Sequence, residues 1–170
     1  MGTDHQLTAE QLQSYERDGF LLLPDYFTAQ QMQALETVAH DDHALSAGAR
    51  DHRDQEGRVS RLALHYELPD SAYGAYARCQ AVVEPIEQLL QSEVYHYHHK
   101  MILKEPRIGG AWTWHQDYGY WYNNGCLFPD MGSCMIAVDQ ATTENGCLQV
   151  IRGSHRMGRI DHVQRGEQTG

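Results

Sequence analysis

The sequence predicts an α+β protein in which helices precede a β domain. Two helix-capping signatures lie near the N-terminus, one formed by Thr8 with Gln11 and the other by Thr28 with Gln31. From residue 93 onward the pattern changes to short aromatic and apolar stretches, which are typical of strands. Helices followed by closely spaced strands favour a barrel or a sandwich for the β part.

In the first part of the chain, each capping box begins a helix. Gly19 supplies the stop for the first helix, and the second is predicted to run to about His40. Between them, the apolar residues 20–23 predict a short buried strand. The two repeated caps therefore define the start of the fold.

The remainder of this half holds a loop and a third helix. Residues 41–61 are polar, charge-rich and contain glycine, which predicts a mobile surface loop. A helix bent near Pro85 is predicted over residues 71–90. Residues 1–92 are accordingly expected to be mainly helical.

The second half is expected to form a β core over residues 93–155, followed by a polar tail over 156–170. Four strands are predicted, at residues 94–103, 112–117, 132–139 and 147–151. Four strands do not close a barrel or a sandwich. We therefore expect one domain over residues 1–170 that is C-terminally incomplete, with an open sheet edge available for self-association.

Composition limits the classes of partner. The formal net charge of −10 argues against a nucleic-acid partner. No apolar run is long enough to span a membrane, and the N-terminus does not resemble a signal peptide. The four cysteines are widely spaced without a Cys-x-x-Cys pair, which favours reduced thiols. Together these features predict a cytoplasmic protein without a membrane partner.

A His-x-Asp pair, His115 and Asp117, provides the main chemical signal. On an extended strand the side chains at i and i+2 leave the same face, so the imidazole and the carboxylate converge. They would supply two of the three donors of the 2-His-1-carboxylate triad that holds non-haem Fe(II). The alternative is a chance pair whose carboxylate binds a neighbouring cation.

Aromatic residues surround this pair, at Trp112, Trp114, Tyr118, Tyr120, Trp121 and Tyr122. Such amphipathic rings line pockets for small organic ligands. They also pack in protein cores, and for Trp112 and Trp114 the two interpretations are equally open.

The predicted strand before this pair is rich in histidine. Alternation places His96, His98 and Lys100 on one face and His99 on the other. Two histidines at i and i+2 could form a separate metal site. Lys100 either binds the carboxylate of a co-substrate or is a solvated edge lysine.

The third donor of the triad is not evident from spacing. His155 and His162 follow the last predicted strand, and each is a candidate. The other histidines lie in helices or polar loops and are expected to be exposed, namely His5, His40, His43, His52 and His65.

Three segments resemble the phytanoyl-CoA dioxygenase family of Fe(II)/2-oxoglutarate-dependent oxygenases. Residues 115–121 (HQDYGYW) look like its iron motif. Residues 145–158, which contain NGCLQVI and GSHRMG, are similar to its second signature. Residues 100–106 (KMILKEP) are similar to the strand that precedes the iron motif. The resemblance covers most of the chain.

The resemblance implies a double-stranded β-helix, or jelly roll, with flanking helices, and a mechanism that uses Fe(II), 2-oxoglutarate and O₂. It implies that His115 and Asp117 bind iron, that Lys100 and Gln116 lie near 2-oxoglutarate, and that Trp121 and Tyr118 face the substrate. His155 would be a structural residue rather than a ligand.

Two departures from the family pattern matter. Arg152 stands where a proline usually precedes Gly-Ser-His. In this family the distal iron histidine, and the arginine that pairs with 2-oxoglutarate, lie on strands well beyond the second signature. His162 and Arg165 have the right residue types but precede any further strand. We therefore expect the distal iron ligand to be missing.

The sequence thus predicts a dioxygenase that hydroxylates a small organic molecule. The alternative is a non-catalytic binding or assembly module that keeps the cavity without a complete iron centre. In a third possibility, a partner chain supplies the missing strands and histidine.

Overall fold

The computed structural model describes residues 5–165, 168 and 169, and the side chains of residues 5–163. The helices in this part of the chain are α1 Ala9–Asp18, α2 Ala29–Asp41, α3 His43–Gly48, α4 Ala72–Arg78, α5 Gln80–Leu90 and α6 Asp117–Trp121. The strands are β1 Arg50–Arg53, β2 Val59–His65, β3 His99–Leu103, β4 Gln164–Arg165 and β5 Gln168–Thr169. Two 3₁₀ turns lie at Tyr122–Asn124 and Ser154–Arg156.

Both predicted capping boxes are confirmed. The Thr8 hydroxyl accepts the Gln11 backbone N–H, and the Gln11 side chain accepts the Thr8 N–H in return. Thr28 and Gln31 repeat this exchange at the start of α2. Gly19 ends α1 in the left-handed conformation, at φ 82°.

The main sheet is antiparallel, with the order β1-β2-β3. Leu62 in β2 pairs with Arg50 in β1 and with Ile102 in β3. The buried apolar side chains are few among the described residues, namely Leu7, Leu35, Leu45 and Ala63. Helices flanking an antiparallel sheet confirm the mixed α+β class. The closed jelly roll stays a prediction.

The prediction of a mobile loop over residues 41–61 is wrong. This stretch contains α3, β1 and the start of β2. Its polar side chains build the structure: the Asp42 carboxylate caps α3 by accepting the Leu45 N–H at 2.7 Å. Arg61 then fixes α3 to β2 by donating to the hydroxyl of Ser46 at 2.7 Å.

The predicted single helix over residues 71–90 is two helices. The helical conformation is interrupted at Cys79, which lies between α4 and α5 and is extended at φ −72° and ψ 150°. Pro85 lies inside α5 without ending it. The helical region is therefore interrupted at Cys79, six residues before Pro85.

The strands predicted at residues 20–23, 112–117, 132–139 and 147–151 are not formed, and the one at 94–103 begins only at His99. A strand requires a hydrogen-bonded neighbour. None of the four segments has a strand partner among the described residues. The polar tail instead contains the short antiparallel pair of β4 and β5.

The second-signature turn packs against the end of α1. The Gly153 N–H donates to the Asp18 carbonyl at 2.8 Å, and His155 Nε2 donates to the Glu16 carbonyl at 3.0 Å. Arg152, which replaces the usual proline, places its Nε 3.8 Å from Oδ1 of the buried Asp18. This departure from the family pattern therefore contributes an ion pair.

Two further findings concern chemistry and location. The four cysteines are free. In the part of the chain that the structure describes, no helix combines the length and the apolar character needed to cross a membrane.

Candidate active site

The structure brings His115 and Asp117 together, although the segment is not a strand. Nε2 of His115 lies 3.4 Å from Oδ1 of Asp117. Two donor atoms that each lie about 2.1 Å from one ion, at roughly a right angle, stand about 3 Å apart. The pair is therefore spaced to share one metal ion.

Hydrogen bonds orient both side chains. Nδ1 of His115 donates to the Thr113 carbonyl at 2.8 Å, so Nε2 faces Asp117 and carries the lone pair when the imidazole is neutral. The Ser133 hydroxyl donates to the other carboxylate oxygen of Asp117 at 3.1 Å. Metal-binding histidines and carboxylates are held in this way by an outer layer of partners. The donor set fits a divalent metal ion.

The two side chains are partly open to solvent, with exposed fractions of 35% for His115 and 47% for Asp117. The hydrogen bond between them raises the pKa of His115 and lowers the pKa of Asp117. The raised pKa of His115 favours its protonated form beside the Asp117 carboxylate. A metal ion bound at this pair would compete with that proton for Nε2 of His115.

Lys100 lies on β3 near this pair. The hydrogen bond from His115 makes the largest contribution to the lowered pKa of Asp117, and the positive charge of Lys100 adds to it. The Lys100 Nζ atom stands 6.0 Å from the centre of the Trp112 ring, which stacks on His52 at 4.2 Å. The exposed ammonium is therefore available to an anionic ligand beside the His115–Asp117 pair.

Trp121, at the end of α6, is the centre of an aromatic cluster. Its ring lies 4.9 Å from the His98 ring, 5.2 Å from Tyr97 and 4.8 Å from Tyr120. Burial lowers the pKa of His98, which favours the neutral imidazole in this cluster. Tyr118 points its hydroxyl to the Leu127 carbonyl at 2.9 Å.

Gln116, between the two donors, is bound by the segment that follows the second signature. Its side-chain amide contacts the backbone of Gly158 and Ile160, and its N–H donates to Nε2 of His162 at 2.8 Å. His162 thus lies beside the His115–Asp117 pair, whereas His155 packs against the end of α1 and binds the Glu16 carbonyl. Sequence reasoning missed this contact, because the partners are more than forty residues apart.

The histidines around β3 form a separate cluster. Nε2 of His96 lies 3.1 Å from Nδ1 of His99, whose ring stacks on the cross-strand His65. Among the described side chains, the group of three donors close enough for one metal is instead Glu36, His40 and Asp139, all exposed. Glu36 and His40 have the i, i+4 spacing of one helix face, a signal that the sequence analysis overlooked.

A buried carboxylate anchors the segment that leads into the pair. Asp54, in the β1–β2 turn, has a side chain only 6% exposed, and its Oδ2 accepts the Ala111 N–H at 3.1 Å. Its Oδ1 accepts the Arg58 N–H at 2.8 Å. The buried Ser60 adds a bond to the Gly110 carbonyl at 3.0 Å. The hairpin predicted as a mobile loop therefore holds the approach to the site.

We expect Asp54→Asn to remove an acid-sensitive part of the stability. Burial alone would raise the pKa of Asp54, but bonds from the Ala111 and Arg58 backbone and from the Arg58 guanidinium lower it to about 2. A carboxyl group whose pKa is lowered in the folded state stabilises the fold at pH values above its unfolded pKa of about 3.9. That stabilisation is lost as the pH falls toward 2. Urea midpoints measured between pH 5 and pH 2.5 should fall less steeply for the variant.

Asp51→Asn is the matched control for Asp54→Asn, because Asp51 is a neighbouring surface aspartate whose side chain is 54% exposed. Its profile should follow that of the wild type. Parallel acid profiles for Asp54→Asn and the wild type would contradict the anchoring role.

A nitrogen and an oxygen donor held by outer hydrogen bonds, beside a helix-flanked antiparallel sheet, form part of the ligand set of non-haem iron oxygenases. The phytanoyl-CoA dioxygenase family model matches residues 15–169. The chain belongs to this family.

Curated relatives agree with this assignment. The chain is 33% identical over 158 residues to an L-proline trans-4-hydroxylase of Streptomyces griseoviridis, covering 89% of this chain and 56% of that protein. It is 30% identical over 156 residues to an ectoine dioxygenase of Bordetella bronchiseptica, covering 88% and 50%. An ectoine dioxygenase of Streptomyces avermitilis is 32% identical over 161 residues, covering 91% and 54%. The chain thus spans about half the length of these relatives.

Proposed function

We propose that the chain carries the metal-binding part of an Fe(II)/2-oxoglutarate-dependent dioxygenase that hydroxylates a small amino-acid-like molecule. One observation carries the proposal. His115 Nε2 and Asp117 Oδ1 stand 3.4 Å apart, and the His115 tautomer is fixed by the Thr113 carbonyl. This arrangement presents both donors to one cation.

In the proposed reaction, one atom of O₂ enters the substrate as a hydroxyl, and the other enters succinate as 2-oxoglutarate loses CO₂. Bound iron supplies the oxidising chemistry. His115 and Asp117 hold the metal through Nε2 and a carboxylate oxygen. Ser133 keeps the Asp117 carboxylate from rotating by donating to Oδ2.

Lys100 is proposed to bind a carboxylate of 2-oxoglutarate. Its exposed ammonium lies on the strand beside the pair, and an ammonium attracts a carboxylate as a point charge. Gln116 is proposed to contribute to the same cofactor region. Because its amide oxygen and one amide hydrogen bind the backbone of Ile160 and Gly158, one amide hydrogen is left for this role.

The substrate class is proposed from the relatives and from the aromatic cluster. The relatives are named for L-proline and for ectoine. We propose a cyclic amino-acid-like molecule, for which Trp121 and Tyr118 provide aromatic surface. A cationic ring nitrogen is attracted to the face of an indole ring.

A second candidate is a binding module without turnover, and one observation favours it. No third histidine, cysteine or carboxylate among the described side chains reaches the His115–Asp117 pair. A two-donor site binds metal more weakly than a complete triad. In a related proposal, a second copy or a partner chain completes the site at an open edge of the sheet, since β1 and β3 are both edge strands within the described residues.

Succinate formation separates the two candidates. The purified chain with Fe(II), 2-oxoglutarate and O₂ is expected to release succinate, and to release more when L-proline or ectoine is added. Metal binding without succinate would support the binding module and overturn the dioxygenase. Sedimentation velocity on the same sample, with and without metal, tests self-association, and a monomer with bound metal would exclude it.

A further inference from the structure

The segment of residues 158–162, which we call the strap, is attached to the centre of the metal motif. Gln116 donates from Nε2 to the Gly158 carbonyl at 2.7 Å. It accepts the Ile160 N–H at Oε1, at 3.0 Å. Its backbone N–H donates to Nε2 of His162 at 2.8 Å. Three hydrogen bonds thus join the strap to the one residue between the two donors.

The His162 ring also packs on the first turn of α6. Gly119 is buried there, and a Cβ atom at this position would overlap the His162 imidazole and the Ile160 carbonyl. Only glycine allows this approach. The strap therefore contacts the chain on both sides of Asp117.

The hydrogen bond defines which tautomer the neutral His162 ring adopts. Because Nε2 accepts the Gln116 N–H, the neutral ring carries its proton on Nδ1. Nδ1 is buried and has no acceptor among the described residues. A buried donor without an acceptor is unfavourable, so some other interaction must hold the ring in this orientation. The hydrogen bond from the Gln116 N–H to Nε2 does so.

We propose that His162 is a positioning residue of the metal site. It fixes the peptide between His115 and Asp117 and so holds Nε2 and Oδ1 in place before the metal binds. This inference rests on the proposed metal site and deepens it. His162 acts through the backbone of Gln116 and does not touch the metal.

Metal affinity measures this role. The purified chain is titrated with Co²⁺, which reports its coordination by absorbance. We expect His162→Ala to weaken Co²⁺ binding about 10–100-fold, the usual effect of removing an outer partner of a metal ligand. His162→Gln should restore most of the affinity, because its amide oxygen can accept the same N–H.

His43→Ala is the matched control, since His43 is an exposed histidine on α3. It should leave Co²⁺ affinity unchanged. Affinity for His162→Ala within twofold of the wild type would overturn the proposal. So would a His162→Gln protein whose Co²⁺ spectrum has lost a nitrogen ligand, because His162 would then be a ligand itself.

Backbone hydrogen exchange gives a readout that needs no metal. The Gln116 amide should exchange faster in His162→Ala and return to the wild-type rate in His162→Gln. Faster exchange with unchanged Co²⁺ affinity would overturn the positioning role while leaving the metal site intact. If the wild type binds no Co²⁺, the proposed function fails together with this inference, whereas the exchange result still reports whether the strap forms.

Discussion

Replacing Asp117 with alanine is expected to weaken Fe(II) binding by more than about 100-fold. The loss of outer partners alone costs about 10–100-fold, and Asp117 is proposed as a direct ligand. The change also removes the hydrogen bond that raises the pKa of His115, and it leaves the Ser133 hydroxyl without its carboxylate. Anaerobic titration of the purified chain with Fe(II) measures the effect.

Asp139→Ala is the informative control for Asp117→Ala. Asp139 belongs to the exposed group with Glu36 and His40, where three possible metal donors lie close together among the described side chains. If the proposed site is correct, Asp139→Ala should bind Fe(II) like the wild type. A loss of affinity in Asp139→Ala, with none in Asp117→Ala, would move the metal to the surface of α2 and contradict the proposed site.

The sequence predicted features whose causes are local. The two capping boxes and the stop at Gly19 depend on side chains and backbone groups within four residues of each other. Such contacts can be read from spacing, because helix geometry fixes which groups meet. The predicted ends of α1 and the start of α2 therefore agree with the structure.

The donor pair was predicted from a backbone that the structure does not have. The i, i+2 rule assumed a strand through Asp117, whereas Asp117 begins α6. The side chains still meet, because Gln116 is extended at φ −109° and ψ 123°. One extended residue between the donors is sufficient for their convergence. The longer strand was not needed.

The supports of the site could not be predicted from the sequence. Asp54 and Ala111 are 57 residues apart, and Gln116 and His162 are 46 apart. No periodicity links such positions, since chain topology decides whether they meet. Polar composition led to the opposite expectation for the Asp54 turn, because a charged stretch normally indicates a solvated loop.

The predicted strands of the second half also failed because strand formation depends on partners distant in the chain. Propensity identifies segments that suit a sheet, but pairing decides whether a sheet forms. Residues 132–139 and 147–151 have suitable side chains and no strand partner in the described part of the chain. Their apolar side chains remain open to solvent, as at Met135, Leu148, Val150 and Ile151.

Gly19→Ala is expected to produce a large loss of stability, because both the backbone conformation and a packing contact require glycine there. Gly19 has φ 82°, and a left-handed conformation costs roughly 1–2 kcal/mol for a residue with a Cβ atom. The new methyl group would also overlap the His155 imidazole, which packs on the end of α1. His155 must then give up its bond to the Glu16 carbonyl. Urea unfolding measures the combined loss.

Gly57→Ala separates the two causes of the Gly19→Ala effect. Gly57 has nearly the same φ, 79°, but nothing lies within 4 Å of its added Cβ atom. It should lose only the conformational cost, so the difference between the two variants reports the contact with His155. Adding His155→Ala to Gly19→Ala should recover part of that difference, because the overlap is removed while the backbone cost remains. Equal losses for Gly19→Ala and Gly57→Ala would mean that His155 does not hold the second-signature turn against α1.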